Sequence, residues 1–231
     1  MASRVLPSPE IRDVLSARFV CVKINVDSPP AGAEKLLSQV NGNVLPFFVF
    51  ATSDAKFVSG TSGFRDVAAF KADIDKAMKS ELLKVPAELE KKLAKSAEQI
   101  AKDVEAKKVP AAIKAVKAAD AVHGFSESKD KIRDLYTQIL DGGRQQIQTA
   151  ADLAKDGKFE EAAALLSTLT KDFKGSDLEK GVAAATKALE RVKSASKDSN
   201  KTTAKRSYEL VVKECKDAPP FVELAEARLK E

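Results

Sequence analysis

The chain has 231 residues, 44% of them hydrophobic and 32% charged, with a formal net charge of +5. That is enough chain and apolar content for two folded domains with their own cores, and it excludes a globally disordered protein. Lysines alternate with Glu and Asp through the second half and few aromatics stand beside them, so no nucleic-acid partner is expected. No apolar run approaches the ~20 residues of a membrane span, and the amino terminus lacks a basic start followed by an apolar core. The expectation is a cytoplasmic protein with no membrane partner.

Ser8 to Ala17 has a helical pattern. Phe19 to Asp27, Phe-Val-Cys-Val-Lys-Ile-Asn-Val-Asp, predicts a strand ending in an acid, with Cys21 in its apolar run. A second helix is expected over Ala31 to Val40. Asn41-Gly42-Asn43 then turns the chain into Val44-Leu45-Pro46 and an unbroken apolar run, Phe47 to Phe50, which predicts a fully buried strand. Proline cannot donate to a ladder, so Pro46 belongs at the start of that strand, and an X-Pro bond is where a cis peptide occurs. A further strand (Lys56 to Gly60), a glycine turn (Ser62-Gly63-Phe64) and a helix (Asp66 to Met78) complete this region.

The order helix, acid-ended strand, helix, proline-led strand, strand, helix resembles the thioredoxin-like fold. The resemblance implies a cis-Pro46 facing the place of the redox motif, and it implies that Leu45 and Pro46 mark a surface where an extended polypeptide docks. Members of that family open with a strand leading to Cys-x-x-Cys at a helix N-terminus, where the dipole stabilises a thiolate. This chain opens Met1-Ala2-Ser3-Arg4-Val5-Leu6-Pro7, without that strand or motif.

From Ser80 onward Ala, Lys, Glu and Leu recur at helical spacing, which divides the chain into residues 1–80 and an all-α region, 81–231. Pro86 suits the first position of a helix whose stripe is Leu89, Leu93, Ala97, Ile100 and Val104. Three segments then match one another: Val116, Ala119 and His123 align with Leu166, Leu169 and Phe173, and Ala204, Tyr208, Val211 and Cys215 fill the corresponding positions of a third. Such recurrence predicts stacked helical hairpins. The segment Ala150 to Ala162, with a helix ending at Gly157 and an aromatic opening the next, resembles a tetratricopeptide hairpin. Between the first two copies a single stripe, from Ile132 to Leu153, runs through Gly142-Gly143. That pair marks a close helix crossing or a kink, or else a break at Asp141-Gly142 that gives two shorter helices. Ser194 to Thr203 reads as a polar loop, and Phe221 to Leu229 as a closing helix after Pro219-Pro220.

Chemistry-bearing residues are sparse. The two cysteines, Cys21 in a predicted buried strand and Cys215 in a packing position, are expected to be structural. The single histidine, His123, also falls in a packing position, without partners at ligand spacing. Neither Ser59-Gly60-Thr61-Ser62-Gly63 nor Gly142-Gly143 has phosphate-loop spacing. Asp27 has no thiol to serve. No catalytic residue, metal ligand or cofactor site is therefore assigned.

The resulting expectation is an α/β thioredoxin-like domain followed by a tetratricopeptide-like helical-hairpin domain. It would act as a non-catalytic interaction protein or scaffold for a polypeptide partner, docking at Leu45 and Pro46. Two alternatives stand beside it: a thiol-disulfide oxidoreductase whose Cys-x-x-Cys lies upstream of Met1, and a structural subunit whose missing strand comes from a partner or from a second copy, a homo-oligomer through an exposed sheet edge.

Overall fold

The computed structural model describes residues 5–230. The chain forms two compact units, Met1–Glu90 with Val122–Ser126, and Lys91–Ala121 with Glu127–Glu231. It is mostly helical, with one small antiparallel sheet.

The first unit contains α1 (Pro9–Arg18), a short α2 (Ala33–Leu37), β1 (Phe47–Ala51), β2 (Phe57–Ser62) and α3 (Val67–Met78), followed by a single 3-10 turn at Glu81–Leu83. Pro9 opens α1, where its missing N–H costs no hydrogen bond. The Asp66 carboxylate accepts the Ala69 N–H at 2.8 Å and so starts α3. β1 and β2 pair with Phe48 opposite Thr61 and Phe50 opposite Ser59, and the register shifts between Phe50 and Ala51. Phe48 and Phe50 turn toward Phe70 of α3, with ring centroids 4.7 Å and 6.4 Å away. Ile11, Phe70 and Ile74 complete the buried centre. The expected full burial of Phe47 to Phe50 is corrected: only Phe50 is buried, and the other three are half-buried. A strand with one neighbour cannot be covered as deeply as the middle of a wide sheet.

The larger correction concerns Phe19 to Asp27. Phe19 is anchored, its ring 5.7 Å from Phe50 and 5.5 Å from Phe125. Val20 to Asn25 belong to no helix, ladder or turn, and every residue from Val20 to Ser28 is exposed. The apolar run is present, but no neighbouring strand lies along it among the described residues.

The second unit begins within α4 (Ala87–Glu105) and continues through α5 (Val109–Asp120), α6 (Glu127–Lys155), α7 (Phe159–Asp172), α8 (Glu179–Lys197), α9 (Lys201–Glu214) and α10 (Pro219–Leu229). From α5 on, each helix packs against the next, and α10 also touches α6 and α8. The aligned positions Val116, Leu166, Ala119, Leu169, Val211, Phe173 and Cys215 are all buried. His123 is exposed instead, because α5 ends at Asp120 and the chain leaves the second unit there.

Two of the hairpin turns share one geometry. Lys108 N–H donates to the Asp103 carbonyl (2.7 Å), and Lys158 N–H to the Leu153 carbonyl (2.8 Å). Each bond encloses a left-handed residue, Lys107 at φ 56° and Gly157 at φ 77°. This is the helix-ending arrangement that normally selects glycine.

α6 is continuous through Gly142-Gly143, which settles the choice in favour of close approach. A Cβ on Gly143 would collide with Leu178 and stand 2.5 Å from Phe173 Cζ, whereas one on Gly142 would meet nothing within 4 Å. The expected Ser194–Thr203 loop shrinks to the few residues between α8 and α9. Ala195 extends the buried stripe of α8, and the Asn200 side chain accepts the Thr202 N–H at 3.0 Å to start α9.

Candidate polypeptide-docking edge

The segment before β1 is built by Gly63, whose φ of 82° suits a residue without a Cβ. Its N–H donates to the carbonyls of Val44 (2.7 Å) and Pro46 (3.0 Å), on either side of Leu45. The Leu45–Pro46 peptide is cis. Ser62 Oγ donates to the Asn41 carbonyl at 3.1 Å and ties the preceding turn to β2. Leu45 is left with a backbone N–H and C=O that make no hydrogen bond among the described residues. Leu45 is 58% exposed, and Val44 and Phe64 are exposed as well.

β1 pairs only with β2 among the described residues, so its other edge carries no ladder. Val20 to Asn25 are in the same position: their own backbone groups make no hydrogen bond among the described residues, and Val20 and Val22 are 92% and 72% exposed. Backbone amides and carbonyls are obligatory hydrogen-bonding groups, and a β-branched segment that leaves them to water while exposing apolar side chains is a template for a strand.

The remaining candidates lie apart from this edge in character. Cys21 is exposed, which corrects the expectation of a buried thiol, because the strand meant to bury it has no neighbour. Cys215 is buried, and burial pushes its thiol above the ordinary range. Asp27 is exposed, its N–H donating to the Asn25 side chain at 3.1 Å. No group of three or more His, Cys, Asp or Glu side chains able to hold a metal occurs among the described residues, and no described helix is long and apolar enough to cross a membrane.

Sequence reasoning missed one feature in the helical unit. A cavity of about 410 Å³ opens where α7 and α9 begin and α6, α8 and α10 end, and Phe159, Tyr208 and Arg228 are among its lining residues. The available signal was the tyrosine itself, since the equivalent positions in the other copies are Val116 and Leu166.

No protein-family model, curated protein or solved structure matches the chain.

Proposed function

We propose that this chain is a non-catalytic interaction protein that holds an extended polypeptide against a thioredoxin-like first unit and uses tetratricopeptide-like hairpins in the second as a scaffold. The observation that carries the reading is Leu45. Its two backbone hydrogen-bonding groups make no bond among the described residues, and it lies between exposed Val44 and the start of a strand that pairs only with β2 among those residues. An added strand would gain backbone hydrogen bonds there, while Val44, Leu45 and Phe64 would contact alternate side chains of the guest. The order α1, α2, cis-Pro46, β1, β2, α3 supports the thioredoxin-like assignment. The shared turn geometry at Lys107 and Gly157 supports a repeat origin for the hairpins.

The unpaired segment Val20 to Asn25 favours a second reading, in which the added strand comes from another copy of this chain. Titration of a fluorescent, carboxymethylated unfolded polypeptide tests the first reading. Saturable binding is expected, weakened at least fivefold by Leu45→Asp at this exposed position. Absence of saturable binding to the wild type sinks it. A molecular mass that rises with concentration in sedimentation equilibrium, and falls to the monomer in Val22→Lys, assigns the edge to a second copy. Turnover of insulin disulfides by the protein would overturn its non-catalytic character and favour thiol chemistry at exposed Cys21.

A further inference from the structure

Asn41 and Gly42 stand together, both exposed, on the turn that leads into Val44 to Pro46. Asparagine before glycine is a reactive pair, because the following backbone nitrogen can reach the side-chain amide carbon and glycine has no side chain to crowd that approach. The chain's other asparagines, Asn25, Asn43 and Asn200, precede Val26, Val44 and Lys201, whose side chains stand in the way. The Asn41 side chain and the Gly42 N–H make no hydrogen bond among the described residues, so neither reacting group is held.

The structure separates this pair from two others of similar sequence, Asp141-Gly142 and Asp156-Gly157, whose side chains could close the same ring. Gly142 lies inside α6, where its N–H belongs to the helix ladder, and the Gly157 N–H donates to the Ala154 carbonyl at 3.1 Å. Each of these nitrogens must leave its bond before it can turn toward the preceding side chain. Glycine at 42 is itself required by the fold: its φ is 112°, and a Cβ there would collide with Ser62 Oγ.

We propose that Asn41 is a site of spontaneous deamidation whose product loosens the segment before β1. The Gly42 nitrogen gives its proton to solvent and attacks Asn41 Cγ. A C–N bond forms, the Cγ–Nδ2 bond breaks, and the amide nitrogen leaves as ammonia with a proton from water. Water then opens the resulting succinimide ring at either carbonyl, leaving aspartate or isoaspartate, and nothing is oxidised or reduced. In isoaspartate the main chain runs through the former side chain, and the carbonyl that accepts from Ser62 Oγ becomes part of a free carboxylate. The tie between this turn and β2 is then lost, next to the Val44 and Pro46 carbonyls that the Gly63 N–H holds. The bearing of this change on polypeptide docking at Leu45 rests on the function proposed above, but the chemistry does not.

Peptide mapping of the full chain by mass spectrometry, with enzymatic methylation of isoaspartate, is the test, run in mildly alkaline buffer with and without urea. In the folded chain, conversion at Asn41 should proceed within about threefold of its rate in urea, whereas isoaspartate at Asp141 and Asp156 should form at least about tenfold more slowly than in urea. Raising the pH should speed conversion at Asn41, because the nitrogen attacks without its proton. Asn41→Gln, at a side chain that makes no bond, should remove the change from this peptide and keep the fold, since the ring it would close is one atom larger. Amide exchange at Gly63 should quicken at least about fivefold in the converted chain and stay as it was in Asn41→Gln given the same incubation. Suppression at Asn41 as strong as at Asp141 and Asp156 overturns the proposed site. Unchanged exchange at Gly63 in the converted chain overturns the loosening. Polypeptide binding enters none of these readouts, so this site and the docking edge can fail separately.

Discussion

The two units treat apolar sequence in opposite ways. In the helical unit nearly every apolar stripe is covered: Leu166, Leu169, Val182, Val211 and Phe221 are all buried. In the sheet-bearing unit Val20 and Val22, residues of the same kind, stand in solvent. The difference comes from the backbone. A helix satisfies its own N–H and C=O groups and then needs only a neighbouring face, which the next hairpin supplies. A strand needs another strand before it can bury anything, and Val20 to Asn25 have none among the described residues.

Substitutions at matched apolar residues give the widest separation between the units. Phe221→Ala, at a fully buried ring, should cost about 3–5 kcal/mol in urea unfolding. Val22→Ala should stay within about 0.5 kcal/mol. A large loss at Val22 in the monomer would mean that this segment is already paired, and the contrast would collapse.

The adjacent glycines of α6 sharpen the same point within a single helix. Gly143→Ala should lose about 1–2 kcal/mol net, because overpacking against Phe173 and Leu178 exceeds the gain in helix propensity. Gly142→Ala, with open space around it, should gain up to about 1 kcal/mol. Thermal unfolding of the two variants side by side reads the sign directly, and equal shifts would deny the close approach at Gly143.

The smallest expected effect tests the likeness of the hairpin turns. Lys107 holds the left-handed conformation that Gly157 occupies in the next copy. Lys107→Gly should therefore stabilise the protein by about 0.5–1 kcal/mol, whereas Gly157→Lys should destabilise it by a similar amount. Two changes of the same sign would show that the turns only look alike.

Much of the helical unit was legible from spacing, because its determinants are local. Leu93, Ala97 and Ile100 announce a buried face, the recurrence from Val116 to Val211 announces stacked hairpins, and Pro219-Pro220 opens the last helix. The candidate edge was half legible. Pro46 and the turn residues before it located Leu45, but the bond pattern that leaves Leu45 unpaired depends on Gly63, which arrives only after β1 and β2 have turned the chain back. Cys21 and His123 were misplaced because the residues around them in sequence are not the residues around them in space.

By itself, then, the sequence determined that the second region is built of helices, which of their faces are apolar, and that a proline leads β1, since periodicity and proline's missing N–H act over a few residues. Tertiary structure alone decided that Phe19 to Asp27 has no ladder among the described residues, that α6 passes unbroken through Gly142-Gly143 under Phe173 and Leu178, and that Tyr208 lines a cavity. Each of these depends on whether atoms far along the chain come within a few ångströms, and no local pattern encodes that distance.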